Sequence, residues 1–303
     1  MDNKGVASRF TSFLRTGGTS SGQGVWCLVA ASCIWAVSFG AIGNNLSGVP
    51  ASFSAGIRLW IALLFFLPWT RWTGWMDTVA CLGIGAVQFG LMSLAYMASF
   101  AYLPSHEVVL FTVMTPVYVS LLNDLHDRCF HPRNLLAALL AVAGSAVIVW
   151  RSDIEFSRSL IGFLLVEASN LCFAVGQMAY RFWMGGRNAR ASDLSVFSWL
   201  YLGGALVLLP GLLLKSTPTC SGLTGTQWMT LVFLGVVVSG VSYFLWNRGA
   251  RKTSAGTLAV MNNLKIPLGV AASLLLFGES APLLPLLVGG TWILLAACVS
   301  CRR

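Results

Sequence analysis

Charge is scarce in this chain. Only 10% of its 303 residues are Asp, Glu, Lys or Arg, whereas 56% are hydrophobic and the mean hydropathy is +0.77. Soluble domains carry about 25% charged residues, so a soluble globular enzyme is excluded and a polytopic membrane protein is indicated. Long polar stretches are missing as well. Ten apolar runs of near-spanning length can be marked, at about 24–43, 51–70, 78–99, 105–122, 134–150, 160–180, 194–214, 227–246, 255–277 and 281–299. At about 20 residues per span they leave no room for a soluble domain. Residues 1–23 form a polar Gly/Ser/Thr-rich lead with Lys4, Arg9 and Arg15. The run after it is too long for a signal peptide and lacks an A-x-A-like site, so it reads as an uncleaved first span.

Groups for catalysis or cofactor binding are equally thin. The three histidines, His106, His126 and His131, fall at loops or run ends, and no H-E-x-x-H, G-x-S-x-G or clustered Cys/His spacing occurs. An enzyme working through Glu107 with His106, or through Glu167, is the rival reading these absences weigh against; no cofactor or metal is expected. The eight cysteines are scattered, and only Cys220 falls in a loop on the outer side, which excludes a disulfide framework. Cys298-x-x-Cys301 has no second pair and reads as two small buried thiols.

The charge that is present is mostly positive, +9 overall. Its placement argues against nucleic acid. With a cytoplasmic N-terminus, one side holds Lys4, Arg9, Arg15, Arg71, Arg128, Arg133, Arg181, Arg187, Arg190, Arg248, Arg251, Lys252, Arg302 and Arg303, and the other only Arg151, Arg158 and Lys215. This positive-inside bias, with an even number of spans, predicts both termini in the cytoplasm.

Weak internal matches recur in a common order. Trp35-Ala36-Val37 matches Phe173-Ala174-Val175, Gly85 and Gly90 match Gly235 and Gly240, and Pro116 matches Pro267. They predict an all-α protein of two five-helix repeats, over 24–150 and 151–303. An odd number of spans per repeat inverts the second copy, and Pro-interrupted spans at matching positions point to a transport site at the membrane midplane.

Polar residues inside the runs mark that site. Met261-Asn262-Asn263-Leu264-Lys265-Ile266-Pro267 puts an amine and two amides near the middle of the ninth run, and Pro267 frees the carbonyl of Asn263. An intramembrane ammonium costs roughly 2.5–3.5 kcal/mol on insertion scales, which calls for an interior cavity. Asn262 shares a helix face with Lys265, whereas Asn263 is turned away and braces the helix. Arg58 lies deep in the second run. At helical spacing, Gly85, Gln88, Met92, Tyr96 and Ser99 form one stripe, as do Glu107, Phe111, Thr115 and Tyr118, and Glu167, Asn170, Ala174, Gln177 and Arg181. Glu167 is the expected intramembrane partner of Arg58 or Lys265. The alternative is ordinary helix packing for the Gln88 stripe, a solvated carboxylate at a span end for Glu107, and a purely structural ion pair for Glu167. Small residues Ala138, Ala141 and Gly144 could form a dimer face or pack within a monomer.

Taken together, the ten spans, the inverted repeat and the Pro-centred fourth and ninth spans resemble the EamA group of the drug/metabolite transporter superfamily. Longer strings sharpen this, including Leu110-Phe111-Thr112-Val113 with Thr115-Pro116, Ser169-Asn170, Tyr243-Phe244 with Trp246-Asn247, and Met261-Asn262-Asn263. They are similar to the biotin-carrying branch from bacterial inner membranes. The resemblance implies biotin uptake through a cavity formed by spans 1 to 4 and 6 to 9, with spans 5 and 10 peripheral. Lys265 stands where that branch has histidine, and Glu167 where it has glutamine. Biotin, or a similar small organic anion, would pair its carboxylate with Lys265 or Arg58. Its ureido group would meet Asn170, Gln88 and Asn262, and its ring would stack on Trp35, Tyr96 or Trp246. Glu107 and Glu167 are the candidate proton carriers. An exporter of amino acids or related metabolites, or a non-transporting scaffold, are the remaining alternatives.

Overall fold

The computed structural model describes residues 21–128, 156–185, 192–214, 222–253 and 255–278, with single helical positions at 132, 136, 140 and 143 and between 284 and 295. The lead at 1–20, the fifth and tenth expected spans as continuous helices, Cys220, Cys298, Cys301 and the small residues Ala138, Ala141 and Gly144 lie outside the described residues, as do the side chains of Asn263 and Pro267.

Among the described residues there are helices and turns and no strand. We number the helices α1 (Ser21–Asn45), α2 (Ala51–Phe66), α3 (Trp75–Ser99), α4 (Ser105–Asp127), α5 (Phe156–Gly185), α6 (Asp193–Leu214), α7 (Gly225–Lys252) and α8 (Ala255–Leu275). The first seven are long and apolar enough to cross a membrane. They fall on expected spans 1–4 and 6–8, and α8 on the ninth.

Local chemistry sets the ends. Pro50 and Pro104 precede α2 and α4, where an absent N–H costs nothing because the first turn leaves its donors unbonded. Thr224 and Gln227 form a reciprocal capping box at the start of α7. Arg128, at φ 53°, closes α4 in the left-handed region. Hydropathy ended α5 and α7 near 180 and 246, yet the helices run on to Gly185 and Lys252. Backbone hydrogen bonding does not stop at the first charge, and Arg181, Arg248, Arg251 and Lys252 ride on the last turns.

Two helices share an irregularity. In α3 the segment Ala86–Leu91 is π-helical, and in α7 so is Leu234–Ser242. Each lies at a point of close approach. A Cβ on Gly85 would sit 1.8 Å from the carbonyl oxygen of Leu200 in α6, and one on Gly235 would sit 2.5 Å from Ile61 Cγ2 and 3.1 Å from the carbonyl oxygen of Arg58 in α2. Only glycine admits such backbone contact. A π turn leaves backbone groups without their usual partners. In α7 the carbonyl of Ser239 is met by the hydroxyl of Tyr201 from α6.

Candidate functional site

Five of the candidate side chains, Trp35, Arg58, Tyr96, Asn170 and Lys265, meet where α1 to α5, α7 and α8 enclose a cavity. Its empty volume is about 470 Å³, open mouth included. Its walls are aromatic: Trp35, Phe39, Tyr96, Phe173 and Tyr243. Trp35 is fixed at ring-centre distances of 4.9 Å from Trp246, 5.2 Å from Tyr243 and 5.9 Å from Phe173.

Two cations line this apolar space. Lys265 is 6% exposed, and its Nζ donates to Asn262 Oδ1 at 3.1 Å, as the three-residue spacing along α8 predicts. The same Nζ lies 5.3 Å from the centre of the Trp35 ring and 6.0 Å from that of Phe173, within reach of cation–π attraction. Arg58 is fully buried; Nε donates to Ser239 Oγ at 2.8 Å, in the π segment of α7, and Nη1 approaches Met97 Sδ at 3.6 Å. Its Nη2 has no hydrogen-bond partner. Among the described residues neither cation forms an ion pair.

The expected pairing of Glu167 with Arg58 or Lys265 is therefore not what forms. Glu167 accepts from Tyr118 Oη at 2.8 Å and from Asn170 Nδ2 at 3.4 Å. Neutral donors from α4 and α5 lie closer to it than either cation. Asn170 is itself saturated: Nδ2 donates to the Phe111 carbonyl at 3.0 Å, and Oδ1 accepts from Thr115 Oγ1 at 3.1 Å. Glu107 is 2% exposed and does not line the cavity, so it is a buried carboxyl and not a solvated one at a span end.

Trp35, Arg58, Tyr96, Asn170 and Lys265 line the cavity; Gln88, Trp246 and Asn262 lie behind its wall. Gln88 exchanges two hydrogen bonds with Asn247, at 2.9 and 3.4 Å, and Trp246 Nε1 donates to Gln177 Oε1 at 3.0 Å. The reason is the π segment of α3. Its longer turn rotates Gln88 relative to Met92 and Tyr96, so a stripe drawn at α-helical spacing does not stay on one face.

Sequence reasoning missed Tyr243, Ser38 and Ser169 as lining residues, and used Phe173 only as a repeat marker. Tyr243 stands three residues before Trp246, on the same face and one turn nearer the cavity; that spacing was the available signal. Among the described residues no group of three His, Cys, Asp or Glu side chains gathers to hold a metal. What the arrangement can do is hold an anion with an apolar body in a water-poor site.

Comparison with known proteins bears on this geometry. A solved structure matches at a TM-score of 0.64 with 19% identity, covering 92% of this chain and 96% of its own, and so shares the fold. A probable biotin transporter of Pseudomonas aeruginosa is 38% identical over 276 residues, 90% of this chain and 96% of that protein. The biotin transporters of Salmonella typhimurium and Escherichia coli K12 are each 36% identical, over 89% of this chain and 90% of their own length. The EamA-like transporter family matches twice, at residues 22–150 and 160–301. With nearly the whole chain matched and helices α1–α7 apolar enough to span, this multi-pass membrane protein belongs to the EamA-like transporter family.

Proposed function

We propose that this chain is a secondary transporter that brings biotin, or a closely similar small carboxylate, across the bacterial inner membrane by alternating access. The observation that carries this reading is the pair of buried cations, Arg58 and Lys265, lining one aromatic cavity without a carboxylate paired to either. An unpaired buried charge is costly, and a ligand carboxylate offsets that cost. Relatives named as biotin transporters supply the ligand. Its carboxylate goes to the cations and its bicycle packs among Trp35, Tyr96, Phe173 and Tyr243. Asn262 acts through Lys265, and Gln88 and Trp246 through the wall behind the ligand.

The architecture we assign is ten spans in two inverted five-helix halves, 24–150 and 151–303, after a cytoplasmic lead at 1–23, with both termini in the cytoplasm. The double family match and the paired π segments of α3 and α7 support it. Bringing a monoanion into a cell about 100 mV negative inside costs about 2.3 kcal/mol, which a co-transported proton removes. Glu167, bonded to Tyr118 and Asn170 beside the cavity, is the better placed carrier, and Glu107 the second.

The test is uptake of labelled biotin into biotin-requiring cells that lack their own transporter. We expect saturable uptake that excess unlabelled biotin blocks, excess amino acids do not, and a protonophore lowers. Absence of uptake by well-expressed protein sinks biotin as substrate. Uptake indifferent to the protonophore, with metabolic trapping controlled, removes proton coupling in favour of facilitated diffusion.

A further inference from the structure

We propose that the cavity selects its ligand by hydrogen-bond acceptors at two points, a carboxylate at Arg58 and a neutral carbonyl at the indole N–H of Trp35. This deepens the transport reading and rests on it. Several polar side chains of the wall are already spent. Ser38 Oγ donates to the Trp35 carbonyl at 2.8 Å, Thr112 Oγ1 to the Val109 carbonyl at 2.7 Å, and Asn170 is bonded at both ends. Among the described lining residues, the buried side-chain atoms left without a partner are Arg58 Nη2 and Trp35 Nε1. Both are donors with no capacity to accept. Asn262 Nδ2, behind Lys265, is a third buried donor without a partner.

The consequence is asymmetric. A buried donor left unmet costs more than its hydrogen bond returns, so a site built this way rejects an analogue that lacks the matching acceptor. A ligand that presents a second donor at Trp35 leaves the indole unmet and strands its own group. Trp35 cannot swing away to avoid the mismatch, since Trp246, Tyr243 and Phe173 hold its ring. Trp35 is thus a specificity-determining donor as well as a wall. Lys265 Nζ, 5.3 Å from the centre of the same ring, adds positive potential beside it.

The experiment is competition against labelled biotin on the purified full-length protein in lipid nanodiscs. The probes are biotin, 2-iminobiotin, whose protonated group offers donors where biotin has its ureido carbonyl, and biotinol, whose alcohol replaces the carboxylate. In wild type we expect both analogues to bind at least about tenfold more weakly, the worth of one buried hydrogen bond. In Trp35→Phe, which keeps a ring and removes the N–H, biotin should weaken about tenfold while 2-iminobiotin changes little, so their ratio closes. Equal binding of biotin and 2-iminobiotin by wild type overturns the proposal, whether or not the variant folds. A variant that weakens both ligands equally also overturns it, because the ring alone then matters. If wild type binds no biotin, the transport reading fails separately. The acceptor rule is then judged by thermal shift with N-acetyl-6-aminohexanoate against heptanoate, and no preference for the amide-bearing acid overturns it.

Discussion

Helices α4 and α8 each carry a proline in mid-helix, Pro116 and Pro267, yet their surroundings differ. In α4 the chain tightens into a 3-10 turn at Thr112–Met114, because Pro116 cannot donate to the carbonyl of Thr112. Thr115 Oγ1 donates to that carbonyl at 2.8 Å and Asn170 Nδ2 to the Phe111 carbonyl at 3.0 Å. Thr112, Thr115 and the Phe111 carbonyl are each engaged by the protein itself. In α8 Ser32 Oγ, from α1, donates to the Met261 carbonyl at 3.1 Å, and Lys265 gives one of its three donors to Asn262. The comparison teaches that a proline inside a helix can act in two ways: in α4 the chain tightens and its carbonyls are met by side chains, whereas α8 stays helical over Ala255–Leu275 and brings Lys265 to the cavity. Even the braces correspond, since Ser32 and Asn170 are as far apart in the chain as Trp35 and Phe173.

Substitutions can break or sharpen this contrast. The largest effect is expected at α8: Lys265→Ala should lower initial substrate uptake about thirtyfold, because it removes a buried positive charge beside Trp35 that a neutral ligand acceptor would meet, at unchanged membrane expression. Normal uptake by that variant would erase the distinction between the two helices. At α4, Asn170→Ala should act on the fold, lowering stability by about 1–3 kcal/mol because it strands the Phe111 carbonyl and a Glu167 oxygen. Thermal unfolding in detergent reads this. A change in uptake without a change in unfolding would move Asn170 from brace to binding residue. Arg58→Lys keeps the charge but cannot reproduce the guanidinium fork held at Ser239, so half-saturation should rise about tenfold with little change in maximal rate. Ser32→Ala should be mildest, about 0.5–1.5 kcal/mol of stability, since one neutral hydrogen bond is lost. Unfolding as severe as that of Asn170→Ala would make the two braces equal in weight.

Much of this was legible in the sequence, for identifiable reasons. Apolar runs of spanning length mark helices because lipid tolerates little else, and α1–α8 lie where those runs fall. The Lys265–Asn262 contact follows from spacing along one helix, and the depth of Arg58 from its place in its run. Partnerships between helices were not legible. Charge pointed Glu167 toward a cation, whereas geometry gives it Tyr118 and Asn170. Gln88 was read onto the cavity face because nothing in Ala86–Leu91 announces a π turn except glycines at 85 and 90. Trp246 is aromatic and near the site, but its N–H is directed at Gln177, a contact no periodicity contains.

The layer behind the cavity, Gln88 with Asn247 and Trp246 with Gln177, is made of neutral dipoles. If the chain works by alternating access as proposed, this layer would separate and re-form with every turnover. Parting a buried ion pair strands charges at a cost of roughly 3–5 kcal/mol, whereas parting amides strands dipoles at about 1–3 kcal/mol each. Charges pair further out, at Asp193 and Arg251, whose side chains are 16% and 28% exposed and can be rehydrated. In such a cycle a layer of amides would hold the contact in order at a lower cost of reopening than a buried ion pair, with the charged contact left where water can reach it.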